Sequence, residues 1–183
     1  MNNETEEKIL EAAIKLLEEK NLDKISVKDI CDECGINRNT FYYHYADIYA
    51  VLDAMLENAS SVMKKEAEGE DILTDYEKRV AFISANKKAV MHIYQSKQRE
   101  TISSYIHRLS HDFVSEYVYK AAEGKKVSEN DMIFICSFYE CALEGLIYRW
   151  LESDMPLYGD DLHKRFTDAF KATIKALLPS SSR

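Results

Sequence analysis

The sequence predicts an all-α protein. A small N-terminal head of three helices is built around a helix-turn-helix, and a longer helical body follows, about nine helices in all. Three observations lead there. Only 2 prolines and 5 glycines punctuate 183 residues that are 46% hydrophobic, so few positions interrupt a helix. Apolar residues recur at i, i+3, i+4 and i+7 along most of the chain, the period of one helix face. The stretch 25–49, ISVKDICDECGINRNTFYYHYADIY, sets two short helical patterns on either side of one glycine.

The first helix runs from about Glu4 to Lys20, with Ile9, Ala13, Leu16 and Leu17 as its stripe. Asn21 follows as a left-handed C-cap, which asparagine tolerates. Ser26 with Asp29 three residues on forms a capping box for the second helix, whose stripe is Val27, Ile30, Cys31 and Cys34. Gly35 supplies the left-handed turn and Ile36 plugs it. Asn37 caps a third helix, Arg38 to His44, which points Phe41 and Tyr45 at the first helix. Arg38, Asn39, Thr40, Tyr42, Tyr43 and His44 are left for its other faces. A helix facing only water usually carries Glu, Lys and Gln. This set instead donates and accepts hydrogen bonds with no carboxylate, which suits phosphate oxygens and base edges in a major groove. The plainer alternative is an αα-corner with a tyrosine-rich packing face.

Asp47 caps a fourth helix, whose Ile48, Val51, Leu52, Met55, Leu56, Ala59, Val62 and Met63 hold the period for four turns. It connects head to body, over about 47–66, and the domains expected are 1–46 and 47–183. A polar break, EAEGED at 66–71, follows. Thr74 and Glu77 form a capping box for a helix running to about Ala85, and Asn86 starts a short one with Ala89, Val90, Ile93 and Tyr94. The next carries Ile102, Tyr105, Ile106, Leu109, Phe113 and Tyr117 and ends near Gly124. Ser128 to Asp131 caps a helix that is apolar on nearly every side from Met132 to Leu151, stopped by Pro156. Such a helix has to be covered all round, and a partner subunit provides the cover. The last helix, about Asp160 to Leu178, carries Leu162, Phe166, Ala169, Phe170, Thr173, Ile174 and Leu177, and Pro179 with a Ser-rich tail ends the fold.

Residues 5–60 resemble the DNA-binding domain of the TetR family of bacterial transcription regulators. The resemblance rests on the Ile9/Ala13/Leu16/Leu17 stripe, Ser26-Val27-x-Asp29-Ile30, Gly35-Ile36, Thr40-Phe41-Tyr42, and His44-Tyr45 before Asp47. The tail Gly145 to Pro156, GLIYRWLESDMP, is similar to a group within that family, the activators of dihydroxyacetone kinase genes. The resemblance implies a homodimer through helices at about 128–154 and 160–178, joined as a four-helix bundle on a twofold axis. Two reader helices then address a palindromic site on double-stranded DNA. It also implies a small-molecule effector bound in the body, for which Tyr94, Tyr105, Phe113, Phe138, Cys141 and Trp150 are the candidate lining. Repression is the family habit, and the kinase-gene group keeps activation open. The expected contacts are Lys28 and Tyr42 to phosphates and Arg38, Asn39 and Thr40 to base edges, with Tyr43 and His44 beside them. Where the family frequently has a lysine, this chain has Ile48, which puts one backbone contact in doubt; the Tyr49 hydroxyl is a partial substitute.

Charge argues against easy DNA binding. The net charge is −8, and the first fifty residues hold six basic residues (Lys8, Lys15, Lys20, Lys24, Lys28, Arg38) against eleven acidic ones. Phosphate neutralisation normally dominates affinity, so weak non-specific binding and high salt sensitivity are expected. The acidic head and Ile48 motivate an alternative: a dimeric interaction adaptor, or a coactivator-type regulator, with weak or lost DNA binding. Cys31 and Cys34 are spaced C-x-x-C on a helix stripe with no second pair, so they read as packing thiols, as do Cys136 and Cys141. His107 and His111 stand at i, i+4, but with Ser104, Arg108 and Ser115 they read as a solvated face without an acidic partner. Glu140 and Glu144 sit within the apolar helix, and each needs a partner if buried. No metal, no cofactor and no catalysis are expected. With no signal peptide and no uncharged apolar span, the expected location is the cytoplasm, without membrane insertion.

Overall fold

The computed structural model describes residues 2–66, 72–156 and 159–178. Among these the chain forms nine α-helices, one 3-10 turn and no strand. The helices are α1 (Asn2–Glu19), α2 (Val27–Cys34), α3 (Arg38–His44), α4 (Ile48–Glu66), α5 (Ile72–Ala85), α6 (Lys87–Tyr94), α7 (Arg99–Ala122), α8 (Glu129–Glu152) and α9 (Gly159–Leu177). No helix among the described residues is long and apolar enough to cross a membrane. The polar break at 67–71, the side chains of Met63 and Leu162, and Pro179 with the serine tail lie outside the described residues.

The chain divides into two compact units, Met1–Glu68 with Ala85–Ile102, and Gly69–Ser84 with Ser103–Arg183. The first unit therefore holds α4 and α6 together with the three head helices. Ile9, Ala12, Ala13, Leu16 and Leu17 on α1 are buried, and α1 packs on α2, α4 and α6. Two polar ties fasten α6 and the turn after it to the head. His92 Nδ1 donates to the Leu17 carbonyl at 2.6 Å, and the Lys97 amide reaches the Asp23 carboxylate at 3.2 Å. Neither tie has a local signature in the sequence. Asn21 does not take the left-handed conformation expected of it. Its φ is −58° and its side chain accepts from the Asp23 amide at 2.9 Å, capping the 3-10 turn Leu22–Lys24. That turn closes the α1–α2 link by its own hydrogen bonds, so no left-handed cap is needed. Asp47 caps α4 as expected, accepting from the Ala50 amide at 2.9 Å.

In the second unit α5 starts at Ile72, so Thr74 lies inside the helix and the Thr74–Glu77 capping box does not form. Ser128 caps α8 as expected, accepting from the Asp131 amide at 3.1 Å. Beyond α8 the chain turns through two left-handed residues that are not glycine, Asp154 (φ 62°) and Met155 (φ 45°). The Met155 amide bonds back to the Trp150 carbonyl at 2.8 Å, and Met155 is buried. Phe170, fully buried, centres the core. Tyr117, Tyr139 and Phe166 surround it with ring centroids 4.6, 4.5 and 5.7 Å away. Burying a phenylalanine of this kind stabilises by about 1.5–3 kcal/mol. Polar tips of the core rings are bonded. Thr173 gives its one hydroxyl hydrogen to the Ala169 carbonyl, so Tyr139 donates to Thr173 at 2.5 Å.

Candidate nucleic-acid interface

The helix-turn-helix is assembled by short-range bonds. Ser26 Oγ accepts from the Asp29 amide at 3.2 Å while Asp29 Oδ2 accepts from the Ser26 amide at 2.7 Å. The Ser26 hydroxyl and amide, each donating to Asp29 Oδ2 at 2.7 Å, with Lys20 Nζ at 3.3 Å, pull the Asp29 carboxyl down to about 2. Gly35 ends α2 at φ 70°, ψ 31°, a conformation that disfavours any Cβ. Asn37 Oδ1 accepts from the Thr40 amide at 2.9 Å and from the Thr40 hydroxyl at 3.2 Å, starting α3. Phe41, with no exposed surface, anchors α3 in the core.

That anchor fixes what α3 shows to solvent. Arg38 and Asn39 are exposed, and Tyr42 and Tyr43 are 55% and 75% exposed. Thr40 is half-buried with its hydroxyl engaged by Asn37. Tyr45 is half-buried beside Phe41, ring centroids 6.3 Å apart, and burial pushes its phenol up. His44 departs from the expectation. Its side chain is only 5% exposed and its Nδ1 lies 3.1 Å from Glu6 Oε1. The reason is its place at the end of α3, where the ring turns onto α1 and finds a carboxylate.

The basic residues of the first fifty sort into two groups. Lys8 pairs with Glu4, Lys15 with Glu33, Lys20 with Asp29 and Lys28 with Asp32. Lys24 and Arg38 have no such pairing among the described residues. Lys28, named as a phosphate contact, is thus held by a carboxylate at 3.0 Å, in an exposed pair whose net strength is small. The i, i+4 spacing of Lys28 and Asp32 is a signal the sequence did carry. Ile48 borders a void of only about 10 Å³ with Ala13, Leu17, Ile30 and Leu52, so that position is given to packing. Tyr49 is 45% exposed. Burial pushes both thiols of the C-x-x-C up, and Cys34 Sγ donates to the Ile30 carbonyl at 2.9 Å, the behaviour of packing thiols.

Of the residues named for an effector pocket, Phe113 and Trp150 meet in one cluster of the second unit through Tyr76 and His163. Tyr94 belongs to the first unit, where its hydroxyl accepts from Arg99 at 2.5 Å. Tyr105, Phe113 and Trp150 are buried in the second. Phe138 is 53% exposed and Cys141 is exposed; both lie on the outward face of α8, so neither lines an interior cavity, and Cys141 is not a packed thiol. Phe113 stacks on Tyr76 at 4.6 Å. Tyr76 in turn bonds His163 Nδ1 at 2.5 Å, and burial pushes the Tyr76 phenol up.

Comparison with known proteins agrees with this architecture. Residues 9–55 match the model for bacterial regulatory proteins of the tetR family. Residues 70–172 match the model for a transcriptional regulator C-terminal region of the same family. The chain is similar to YvdT of Bacillus subtilis, an uncharacterized HTH-type transcriptional regulator, 44% identical over 52 residues, 28% of this chain and 27% of that protein. It is also similar to YuxN of the same organism, 28% identical over 88 residues, 45% of this chain and 30% of that protein. Each match thus spans less than a third of the curated relative. The fold resembles that of the dihydroxyacetone kinase operon activator DhaS, with a TM-score of 0.76 at 16% identity over 96% of this chain and 98% of that one. It also resembles a TetR-family transcriptional regulator from Pectobacterium atrosepticum, with a TM-score of 0.63 at 16% identity over 99% and 97%. At such identity the likeness concerns the fold. The C-terminal match covers more than half of the 183 residues, and the chain belongs to the TetR family of bacterial transcriptional regulators.

Proposed function

We propose that the protein is a homodimeric regulator, a repressor, that reads a palindromic operator with two copies of α3. The observation that carries this is the outward set Arg38, Asn39, Tyr42 and Tyr43 on a helix anchored from behind by Phe41. Arg38 and Asn39 reach base edges from the leading end of α3, and Tyr42 and Tyr43 give hydroxyls to phosphates. Lys24 adds a phosphate contact, and Lys28 joins once its surface pair with Asp32 opens. His44 serves as the tie of α3 to α1. In the second unit a ligand entering the Tyr76, Phe113, Trp150 and His163 cluster has to displace ring–ring contacts. Effector binding and repacking are then one event, in keeping with two-state control.

Selection from a random duplex library at low salt, followed by fluorescence titration, tests the reading. A palindromic sequence should emerge, and Arg38→Ala should weaken binding to it about 10–100-fold while relaxing preference at one position per half-site. The paired lysines and Ile48 favour a second reading, a dimeric adaptor without DNA. Failure of any sequence to be enriched at any salt concentration selects the adaptor.

A further inference from the structure

The second unit carries a polar seam that the DNA reading does not use. His107 Nδ1 lies 2.7 Å from Glu144 Oε1, and His111 Nδ1 lies 3.0 Å from Glu140 Oε1. One turn further along, Ser115 on α7 faces the Cys136 thiol on α8. At each step α7 advances by four residues while α8 retreats by four, so the rungs lie along one antiparallel seam. The sequence offered His107 and His111 as a solvated pair without acidic partners; their partners are on the facing helix, 37 and 29 residues away.

The order within each rung decides its chemistry. The side chains of His107 and His111 are 67% and 58% exposed, while Glu144 and Glu140 are 23% and 13% exposed. The carboxylates are the inner members and the rings the outer ones. A carboxylate only accepts, so Nδ1–H is the donor in both rungs. In the neutral ring the lone pair then sits on Nε2, the remaining nitrogen. A carboxylate behind a histidine fixes the tautomer, orients the ring and makes the free nitrogen a better ligand. Here that arrangement occurs twice, one helical turn apart on one helix.

From this we infer that His107 and His111 bind a divalent transition-metal ion through their Nε2 atoms. Glu144 and Glu140 orient the rings, and solvent fills the remaining coordination positions. Imidazole pairs suit Zn²⁺, Ni²⁺ and Cu²⁺, while Mg²⁺ and Ca²⁺ prefer oxygen ligands. No three His, Cys, Asp or Glu side chains among the described residues already form a metal cage, so the site is an open two-imidazole site. Arg108, the adjacent cation, is engaged over the Tyr105 ring, 5.8 Å from its centroid. The net charge of −8 favours a cation.

The test uses the full chain freed of metal by a chelator, without DNA, titrated calorimetrically with Zn²⁺ and separately with Ni²⁺. One ion per chain should bind. His107→Ala and His111→Ala should each weaken binding by at least about tenfold, and the double change Glu140→Gln with Glu144→Gln should weaken it about 10–100-fold. Far-ultraviolet melts of the metal-free variants should track the parent, because both rings are exposed. If a variant melts early, His111→Asn replaces it, and nitrogen-15 spectra of the parent report whether Nε2 shifts with metal. No binding, or binding that both histidine changes leave intact, overturns the assignment. Unaltered affinity in the double glutamine variant overturns the orienting role of the carboxylates.

Discussion

Asp29 shows how much one side chain contributes when its partners are close. Its carboxyl accepts from the amide and hydroxyl of Ser26 and faces Lys20, and these hold it at about 2 against an ordinary 3.8. A carboxyl depressed in the folded state stabilises fully above its unfolded value and loses that contribution as pH falls. Folding should therefore weaken between about pH 4 and pH 2 through this group. The side chain is 35% exposed, and solvent screening leaves about 1 kcal/mol of the shift, similar to the worth of an N-cap. Ser26→Ala should cost about 1 kcal/mol in urea denaturation at pH 7, with a smaller difference from the parent at pH 2.5. An equal difference at both pH values would contradict this account of the cap. The bond between His44 and Glu6 works at the same scale, since it decides which side chains of α3 remain available.

At the scale of elements, the legible features were those decided within four residues. Ser26, Gly35, Asn37, Asp47 and Ser128 sit where their local geometry requires. Asn21 and Thr74 had suitable residue types, but the 3-10 turn took over at one and an earlier helix start at the other. The outward faces of α3 followed from the helical period once Phe41 was placed. His44–Glu6 and the histidine–glutamate rungs of α7 and α8 join residues 29 to 38 apart, and no local pattern encodes them. The length and apolar character of α8 were legible, and its outward face now has names. Phe134, Phe138, Cys141 and Gly145 follow one another at i, i+4, i+7 and i+11, and the two rings are 62% and 53% exposed. Apart from its own neighbours and helix backbone, no atom of the described residues lies within 4 Å of a Cβ built on Gly145, leaving space for a second helix to approach closely. In the proposed dimer this face is covered. Phe134→Glu with Phe138→Glu should shift sedimentation from dimer to monomer, weakening association by roughly 100-fold or more from lost apolar burial. Helix content should stay unchanged; a variant that still sediments as the parent dimer would place the interface elsewhere.

At the scale of the whole molecule, an acidic chain belongs to a family of DNA-reading regulators. The boundary read after residue 46 rested on the end of the helix-turn-helix, whereas the compact first unit also recruits α4 and α6 through contacts with α1. Those contacts were illegible because helix periodicity says which face is apolar and not which neighbour covers it. The four lysine–carboxylate pairs of the head have a consequence for how the protein would search a genome. Each paired lysine already carries its own counter-ion, so docking frees few of the cations condensed on the duplex. Counting the phosphate contacts Lys24 and, once its pair opens, Lys28 in two heads gives a slope of log affinity against log salt of about −4, where all six basic residues would give about −11. The steep salt dependence suggested by charge counting should thus be replaced by a shallow one, measurable by titrating the selected duplex between low and moderate salt. A molecule so loosely held by bulk charge would slide little along unrelated DNA, and would find its target by repeated collisions from solution.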